Sequence, residues 1–301
     1  DRRPRCQAEV RGVDTGGFVT RTRRDCFFCP ENIDRSTPLL PESIFGVGRI
    51  TEGECVLFPN LFPFAEYHAV ARITREHYLE LDQYTEEMIG DNLRACQGWM
   101  LKAYEYDPEA RYPMYNWNLM PPSAASIVHP HAQALLDKRP TPYLRLLLEK
   151  SRDYCTETGR NYWSELVSEE RRLGERFIAE NDSLSLIASF APQGNREILI
   201  IFKEIASLSD LDEKGRMDFA AAILGILSAY KEMGVSSFNL STFSGPIGEK
   251  LPYYSLNAKF ISRPPVQPFY TSDSGFMERF KYESIIETIP ERVAEMVREG
   301  F

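Results

Sequence analysis

The 301-residue chain has only four histidines, His68, His77, His129 and His131. Two of them lie one residue apart in Ser126-Ile127-Val128-His129-Pro130-His131-Ala132-Gln133. The apolar neighbours read as a buried strand, in which positions i and i+2 share a face. That spacing predicts that His129, His131 and Gln133 point together into one site. Two imidazoles and an amide on a buried face need partners, because unpaired buried polar groups are costly. A metal, a phosphate or a catalytic role would supply them.

The second chemistry-bearing stretch is Cys26-Phe27-Phe28-Cys29. A Cys-x-x-Cys turn places two thiolates on one tetrahedral ion. The competing redox reading needs the pair at a helix N-terminus in a thioredoxin-like unit, and Pro30-Glu31-Asn32 does not fit that. With His77 and His129 the pair makes an S2N2 set, which zinc favours in closed sites. All four positions are then filled, so the ion is structural. His131 remains free, and a neutral imidazole is a competent nucleophile toward phosphorus, with a covalent intermediate. The His129 carbonyl, or a group near it, would fix its tautomer. The blander reading is a structural or metal-binding His-x-His. Gln133 on the same face, with Asn118 and Ser126 upstream as neutral donors for phosphate oxygens, favours the catalytic one.

These residues need elements to position them. Residues 1–25, basic and polar, read as a loop or short strands. Apolar segments follow at 44–50 and 55–58, and then 67–73 reads as a strand that Thr74-Arg75-Glu76-His77 ends. Residues 84–104 carry helical periodicity, 114–118 reads as a strand, and 123–136 completes the set. The charged stretch 142–180 reads as helical (143–150 and 163–180), a bridge between halves. Strands are expected at 183–190, 196–203, 238–243 and 253–262, with a helix over 212–233 stopped by Gly234. A shift of 128 residues lays the first half on the second, His129-Pro130-His131 falling on Asn257-Ala258-Lys259. None of the histidines recurs, so one half reads as catalytic and the other as a scaffold or substrate-shaping half. The expected division is 1–141, 142–180 and 181–301.

Composition bounds the partners. A net charge of -9 argues against a general nucleic-acid binder, and no apolar run is long enough to span a bilayer. Asp1-Arg2-Arg3-Pro4-Arg5 has no apolar signal region, and a first residue of Asp predicts residues upstream. Six cysteines (Cys6, Cys26, Cys29, Cys55, Cys96, Cys155) suit a cytoplasmic protein with one metal-binding pair better than a disulfide framework.

The His-Pro-His-Ala-Gln string resembles the active-site motif of the histidine-triad superfamily, and within it the galactose-1-phosphate uridylyltransferase branch, over nearly the whole chain. The resemblance implies zinc on Cys26, Cys29, His77 and His129, His131 as the nucleophile that takes a nucleoside monophosphate, and Gln133 on the phosphoryl group. It places phosphate contacts on Asn118 and Ser126, nucleotide contacts on Asn60 and Phe62, and a hexose contact on Glu283. The chain departs from the pattern at three places. The family's second metal-binding His-x-His is Asn257 and Lys259 here, which implies that this second metal is absent. Leu61 replaces an aspartate of the nucleotide pocket, and Ile289 a glutamine of the sugar site, so galactose is not supported. Lys259 and Arg263 read either as cationic contacts for another acceptor or as exposed strand residues. His68 has no assigned role.

The expected fold is α+β, with two half-barrels, each a mostly antiparallel sheet with a long helix, in one pseudo-symmetric unit. The expected activity is transfer of a nucleoside monophosphate from a nucleoside diphosphate sugar to a phosphate or sugar phosphate, through nucleotidyl-His131. The alternatives are a phosphorylase or hydrolase of a dinucleoside polyphosphate or nucleotide conjugate, and a non-catalytic zinc-stabilised nucleotide-binding protein. The resemblance also points to a homodimer.

Overall fold

A computed structural model describes residues 15–267 and 272–301. Cys6 and the basic start of the chain lie outside the described residues. Three short helices open the fold: α1 (Thr15–Arg23), α2 (Ile33–Ser36) and α3 (Glu42–Phe45). The first half continues with β1 (Ile50–Glu52), β2 (Cys55–Pro59), β3 (Tyr67–Arg72), α4 (Glu86–Tyr106), β4 (Tyr112–Leu119) and β5 (His131–Asp137). Two helices follow, α5 (Pro142–Thr158) and α6 (Tyr162–Leu173). The second half holds β6 (Phe177–Glu180), β7 (Leu184–Ala188), β8 (Asn195–Phe202), α7 (Glu213–Glu232), β9 (Phe238–Phe243), β10 (Asn257–Ser262) and α8 (Pro290–Arg298).

All ten strands form one antiparallel sheet in the order β1-β2-β3-β5-β4-β9-β10-β8-β7-β6. Read from either edge, the order is the same, with five strands and one long helix from each half. The fold is thus α+β and pseudo-symmetric, as expected. The halves join at β4 and β9, where Asn118 lies opposite Asn239 and Trp117 opposite Leu240.

The long helices start and stop for local reasons. Thr85 caps α4 by accepting from the Met88 N–H, with Glu86 and Glu87 in the first turn. Its buried residues Ile89, Leu93, Cys96, Met100 and Ala103 recur at helical spacing. Asp212 caps α7 through the Gly215 N–H, and Gly234 ends it at φ 72°. On β4 burial alternates strictly, so Tyr115, Trp117 and Leu119 face the core beneath α4 and α7 while Asn116 and Asn118 face the other way.

That other face decides where a site can exist. At the first half's end it is covered by the Cys-x-x-Cys turn, with Cys26, Phe28, Cys29, Ile33, Phe58 and Val70 in one apolar cluster. At the second half's end α5 and α6 cover it through Leu144, Leu148, Trp163 and Val167 on Ile187, Leu199 and Ile201. Between the two covers the strands carry polar residues: Gln133, Asn116, Ser241 and Lys259 follow one another across four strands in register.

Several elements differ from the sequence reading. Residues 15–23 are helical rather than loop or strand. Ile44 belongs to the turn of helix 42–45. Helix α6 ends at Leu173 with Gly174 in the left-handed region, and 177–180 is the second half's edge strand rather than helix. The last strand is shorter than 253–262, beginning at Asn257. Strand β5 begins only at His131, because 124–130 is a loop that follows a 3-10 turn at Pro121–Ser123.

Trp117 is wholly buried, edge-on to Tyr84 of the first half and to Phe238 of the second, each with ring centroids 5.1 Å away. Trp117→Ala is expected to cost about 3–5 kcal/mol of folding free energy, read as a lower urea midpoint. A change below about 1 kcal/mol would contradict this packing role.

Candidate active site and metal centre

Four side chains converge under the first half's cover. One ligand atom from each of Cys26, Cys29, His77 and His129 lies within 4.8 Å of the others, and all four residues are buried. Cys29 Sγ is 3.5 Å from His77 Nδ1 and 3.7 Å from His129 Nδ1. Cys26 Sγ is 3.8 Å from the same His129 nitrogen. The ligands come from three places: a turn between α1 and α2, the segment just past β3, and the loop before β5. The donor chemistry fits a divalent ion of the zinc type, two thiolates and two imidazoles in a closed set. Without an ion, burial and then Cys26 push the Cys29 thiol up to about 12. A cation would relieve both effects by favouring thiolate.

The outer nitrogens of the two histidines are held as well. His129 Nε2 meets the Thr74 carbonyl at 2.8 Å, and His77 Nε2 meets Thr22 Oγ1 of α1 at 3.0 Å. Such outer partners fix ring orientation. Thr74 is itself anchored, since its hydroxyl and the Arg75 N–H both donate to Glu54 at 2.8 Å.

His129 therefore does not share a strand face with His131, as its spacing predicted. It sits in the loop and turns into the ligand set, while its backbone carbonyl turns toward His131. His131 Nδ1 is 2.7 Å from that carbonyl. A carbonyl only accepts, so Nδ1 carries the proton and Nε2 keeps its lone pair. The ring is buried edge-on to Phe28 at 5.2 Å between centroids. Burial pushes the His131 pKa down, against the hydrogen bond to His129, which raises it. The imidazole is thus neutral at neutral pH and poised as a base or nucleophile through Nε2.

His131 and Gln133 do share a face of β5, as expected. Asn116 lies opposite Gln133 and Trp117 opposite Ala132, which leaves Asn118 opposite His131 on the same face. Gln133 has a partner that the sequence did not reveal. His68, buried on β3, places Nε2 at 2.8 Å from Gln133 Oε1 and 3.1 Å from Asn60 Nδ2. Its Nδ1 accepts from the Phe64 N–H at 3.4 Å, so Nε2 is the protonated nitrogen and donates to Gln133 Oε1, while the Asn60 amide nitrogen, itself a donor, is in contact with that nitrogen without a hydrogen bond to it. The Gln133 amide nitrogen is then the end left to face a ligand. The only sequence signal was parity, because His68 lies four residues before Arg72, which pairs with His131.

The other predicted residues fall at the edges. Asn60 is half-buried and accepts from the Phe62 N–H at 2.9 Å. Leu61, Phe62 and Phe64 stand exposed around it. Ser126 is exposed in the loop 124–130. Glu283 is exposed on the segment 276–285; among the described residues no hydrogen bond or ion pair joins its side chain to His131, Gln133 or the Cys–His set. Lys259 is not an exposed strand residue. It is 13% exposed and ion-paired at 3.0 Å with fully buried Glu197, with Tyr143 Oη at 3.2 Å and Gln193 Oε1 at 3.1 Å. Burial alone would lower its pKa, and Glu197 and Tyr143 outweigh that to raise it. Arg263 is likewise paired, its guanidinium bidentate on Asp273 at 2.6 and 3.0 Å.

No protein-family model matches the chain. A protein of Archaeoglobus fulgidus, described only as uncharacterized, is 31% identical over 294 residues, covering 95% of this chain and 86% of that one. Among solved structures, a GalT-like protein from Arabidopsis thaliana superposes with a TM-score of 0.76 at 21% identity, covering 92% of both chains. An ADP-glucose phosphorylase from Arabidopsis thaliana with bound ADP-glucose gives a TM-score of 0.76 at 20% identity, over 91% of this chain and 89% of that one. A uridylyltransferase gives 0.74 at 20% identity, over 88% of each. At such identities the likeness is one of fold. Among the described residues no helix is long and apolar enough to cross a membrane.

Two outcomes follow from this geometry. One zinc per chain is expected after dialysis, and Cys29→Ser or His77→Ala should each abolish that stoichiometry in metal analysis. The metal-free protein should also lose stability in acid. Burial pushes all four histidines down, His129 to about 3, while the unfolded chain takes up protons near the ordinary value of about 6.5. The contribution of His129 is thus complete above about pH 6.5 and is lost as pH falls toward about 3, at about 1.4 kcal/mol per pH unit, and the other three histidines act in the same direction. Urea midpoints that stay flat between pH 7.5 and 5 would contradict this.

Proposed function

We propose that the chain, which shares the fold of the GalT-like protein and the uridylyltransferase, is a nucleotidyltransferase of the galactose-1-phosphate-uridylyltransferase-like kind, working by double displacement on nucleoside diphosphate sugars. The observation that carries this reading is the tautomer of His131: Nδ1–H is spent on the His129 carbonyl, which leaves Nε2 with its lone pair.

In the first step Nε2 attacks the α-phosphorus, a P–N bond forms, and the bond from that phosphorus to the bridging oxygen breaks. The sugar phosphate leaves with the electron pair. The ring becomes cationic as the bond forms, and the Nδ1–H donated to the His129 carbonyl strengthens with that charge. The Gln133 amide, oriented by His68, and the Asn118 amide donate to the phosphoryl oxygens where charge shifts in the transition state. Ser126 adds a hydroxyl from the loop. In the second step an oxygen of phosphate or a sugar phosphate attacks the same phosphorus, the P–N bond breaks, and the lone pair returns to Nε2. No net proton is consumed, which suits a histidine kept neutral by burial.

Cys26, Cys29, His77 and His129 would hold zinc, and with all four positions occupied its contribution is rigidity of the loop that carries the His129 carbonyl. Asn60 and Phe62 would line the nucleoside end beside His68. Phosphorolysis, with inorganic phosphate as the second acceptor, uses the same first step and is the second reading. It is favoured by the same-fold ADP-glucose phosphorylase and by paired rather than free Lys259 and Arg263 in the second half.

Intact-protein mass after mixing with UDP-glucose, UDP-galactose, GDP-mannose and ADP-glucose tests the reading. A gain of one nucleoside monophosphate is expected with one donor, absent in His131→Ala, and Gln133→Ala should slow its formation about 10²–10³-fold. No adduct with any donor in folded, metal-loaded protein sinks the covalent route. Competition between inorganic phosphate and hexose 1-phosphates for the adduct separates phosphorolysis from transfer.

A further inference from the structure

The second half lacks the histidines, yet it reaches the phosphoryl site through a chain of three side chains. Arg263, just past β10, donates from Nη1 to Asn239 Oδ1 at 2.8 Å. Asn239 Nδ2 donates to the Ser123 carbonyl at 2.9 Å and to Asn118 Oδ1 at 2.6 Å. Asn118 stands opposite His131. The far end is fixed by Asp273, which takes both Nε and Nη2 of Arg263, and by the Arg263 N–H, which donates to the Ser237 carbonyl at 2.8 Å.

The chemistry of these groups allows only one orientation. A guanidinium cannot accept and a carbonyl cannot donate, so the Asn239 amide cannot be turned over. Its nitrogen must face Ser123 and Asn118, and Asn118 must answer with its oxygen. The Asn118 nitrogen, with both hydrogens, is thereby the end left for a ligand. Every bond in the chain donates in the same sense, from Arg263 toward Asn118, so each polarises the next. An isolated surface asparagine would have to turn its nitrogen toward a phosphate on binding; this one is already held with its nitrogen as the donor.

We propose that Asn239, backed by Arg263, is a positioning residue of the phosphoryl site, presenting the Asn118 amide as a donor beside His131. The catalytic part of the inference rests on the nucleotidyl-transfer reading above, but the orientation itself does not. The second half then supplies part of the site's electrostatics rather than a scaffold alone. The competing role is purely structural, a cross-link of β4 to β9, and it predicts loss of stability without coupling to Asn118.

A double-mutant cycle separates the two. Wild type, Asn118→Ala, Asn239→Ala and the double variant are compared for the single-turnover rate of nucleotidyl-His131 formation, for AMP and UMP affinity by calorimetry, and for thermal stability. Asn118→Ala should lower rate or affinity about 10–100-fold, Asn239→Ala about tenfold, and the double variant no further than Asn118→Ala alone. Asn239→Asp, nearly isosteric, keeps the cycle readable if the alanine variant does not fold. Its second carboxylate oxygen must take a proton donor from Asn118, so it should lose at least as much as Asn239→Ala. Losses that multiply in the double variant, or unchanged rate and affinity in Asn239→Ala and Asn239→Asp, overturn the proposal. If wild type forms no adduct, the transfer reading fails, and the affinity cycle still decides whether Asn239 acts through Asn118.

Discussion

One hydrogen bond, 2.7 Å from His131 Nδ1 to the carbonyl of His129, ties the buried Cys–His cluster to the atom that would do the chemistry. His129 serves both sides of the bond. Its ring belongs to the ligand set and to the Thr74 carbonyl; its backbone dictates the tautomer of His131. A residue cannot do this from within a regular ladder, where its carbonyl would be spent on the neighbouring strand. The break in strand geometry between 124 and 130 is what frees that carbonyl, and the ligand set is what keeps the freed loop in one conformation.

The surroundings follow from the same need. The sheet's second face is dry at both ends, under the Cys-x-x-Cys turn and under α5 and α6, and polar only between them. Gln133, Asn116, Ser241 and Lys259 form that band in register, with His131, Asn118 and Asn239 in the neighbouring row. Ser241 Oγ donates to Asn116 Oδ1, and the other members have the partners described above, so these buried polar groups are satisfied. His68 aims Gln133 from the first half, and Asn239 aims Asn118 from the second. The floor of the site is thus built by side chains whose amide ends are assigned by neighbours rather than left to solvent.

Much of this was legible in the sequence for identifiable reasons. Helical spacing from Met88 to Met100, the capping Asp212 and the Gly234 stop are local signals, and α4 and α7 appear where those signals stand. The four ligands were legible because Cys-x-x-Cys and His-Pro-His are rare residues at restrictive spacing. What failed was register around His129: apolar Ile127 and Val128 imitate a strand, but Pro130 and the ligand geometry end it. Helix α1 was missed because Gly16, Gly17, Arg21 and Arg23 carry no apolar period. The partners of His68 and Asn239 were not legible, since they lie 65 and 121 residues away and only pairing of strands brings them together.

The edges of the sheet have a consequence of their own. A ten-stranded ribbon of backbone donors and acceptors invites growth by addition of foreign strands. Here both outermost strands are very short, Ile50–Glu52 and Phe177–Glu180, and both carry charge: Glu52 lies near Arg94, and Glu180 binds Arg171 and Lys203. The same doubling that sets the half with the Cys–His cluster beside the half without it also turns its two terminal strands outward, where brevity and charge guard the protein against aggregation.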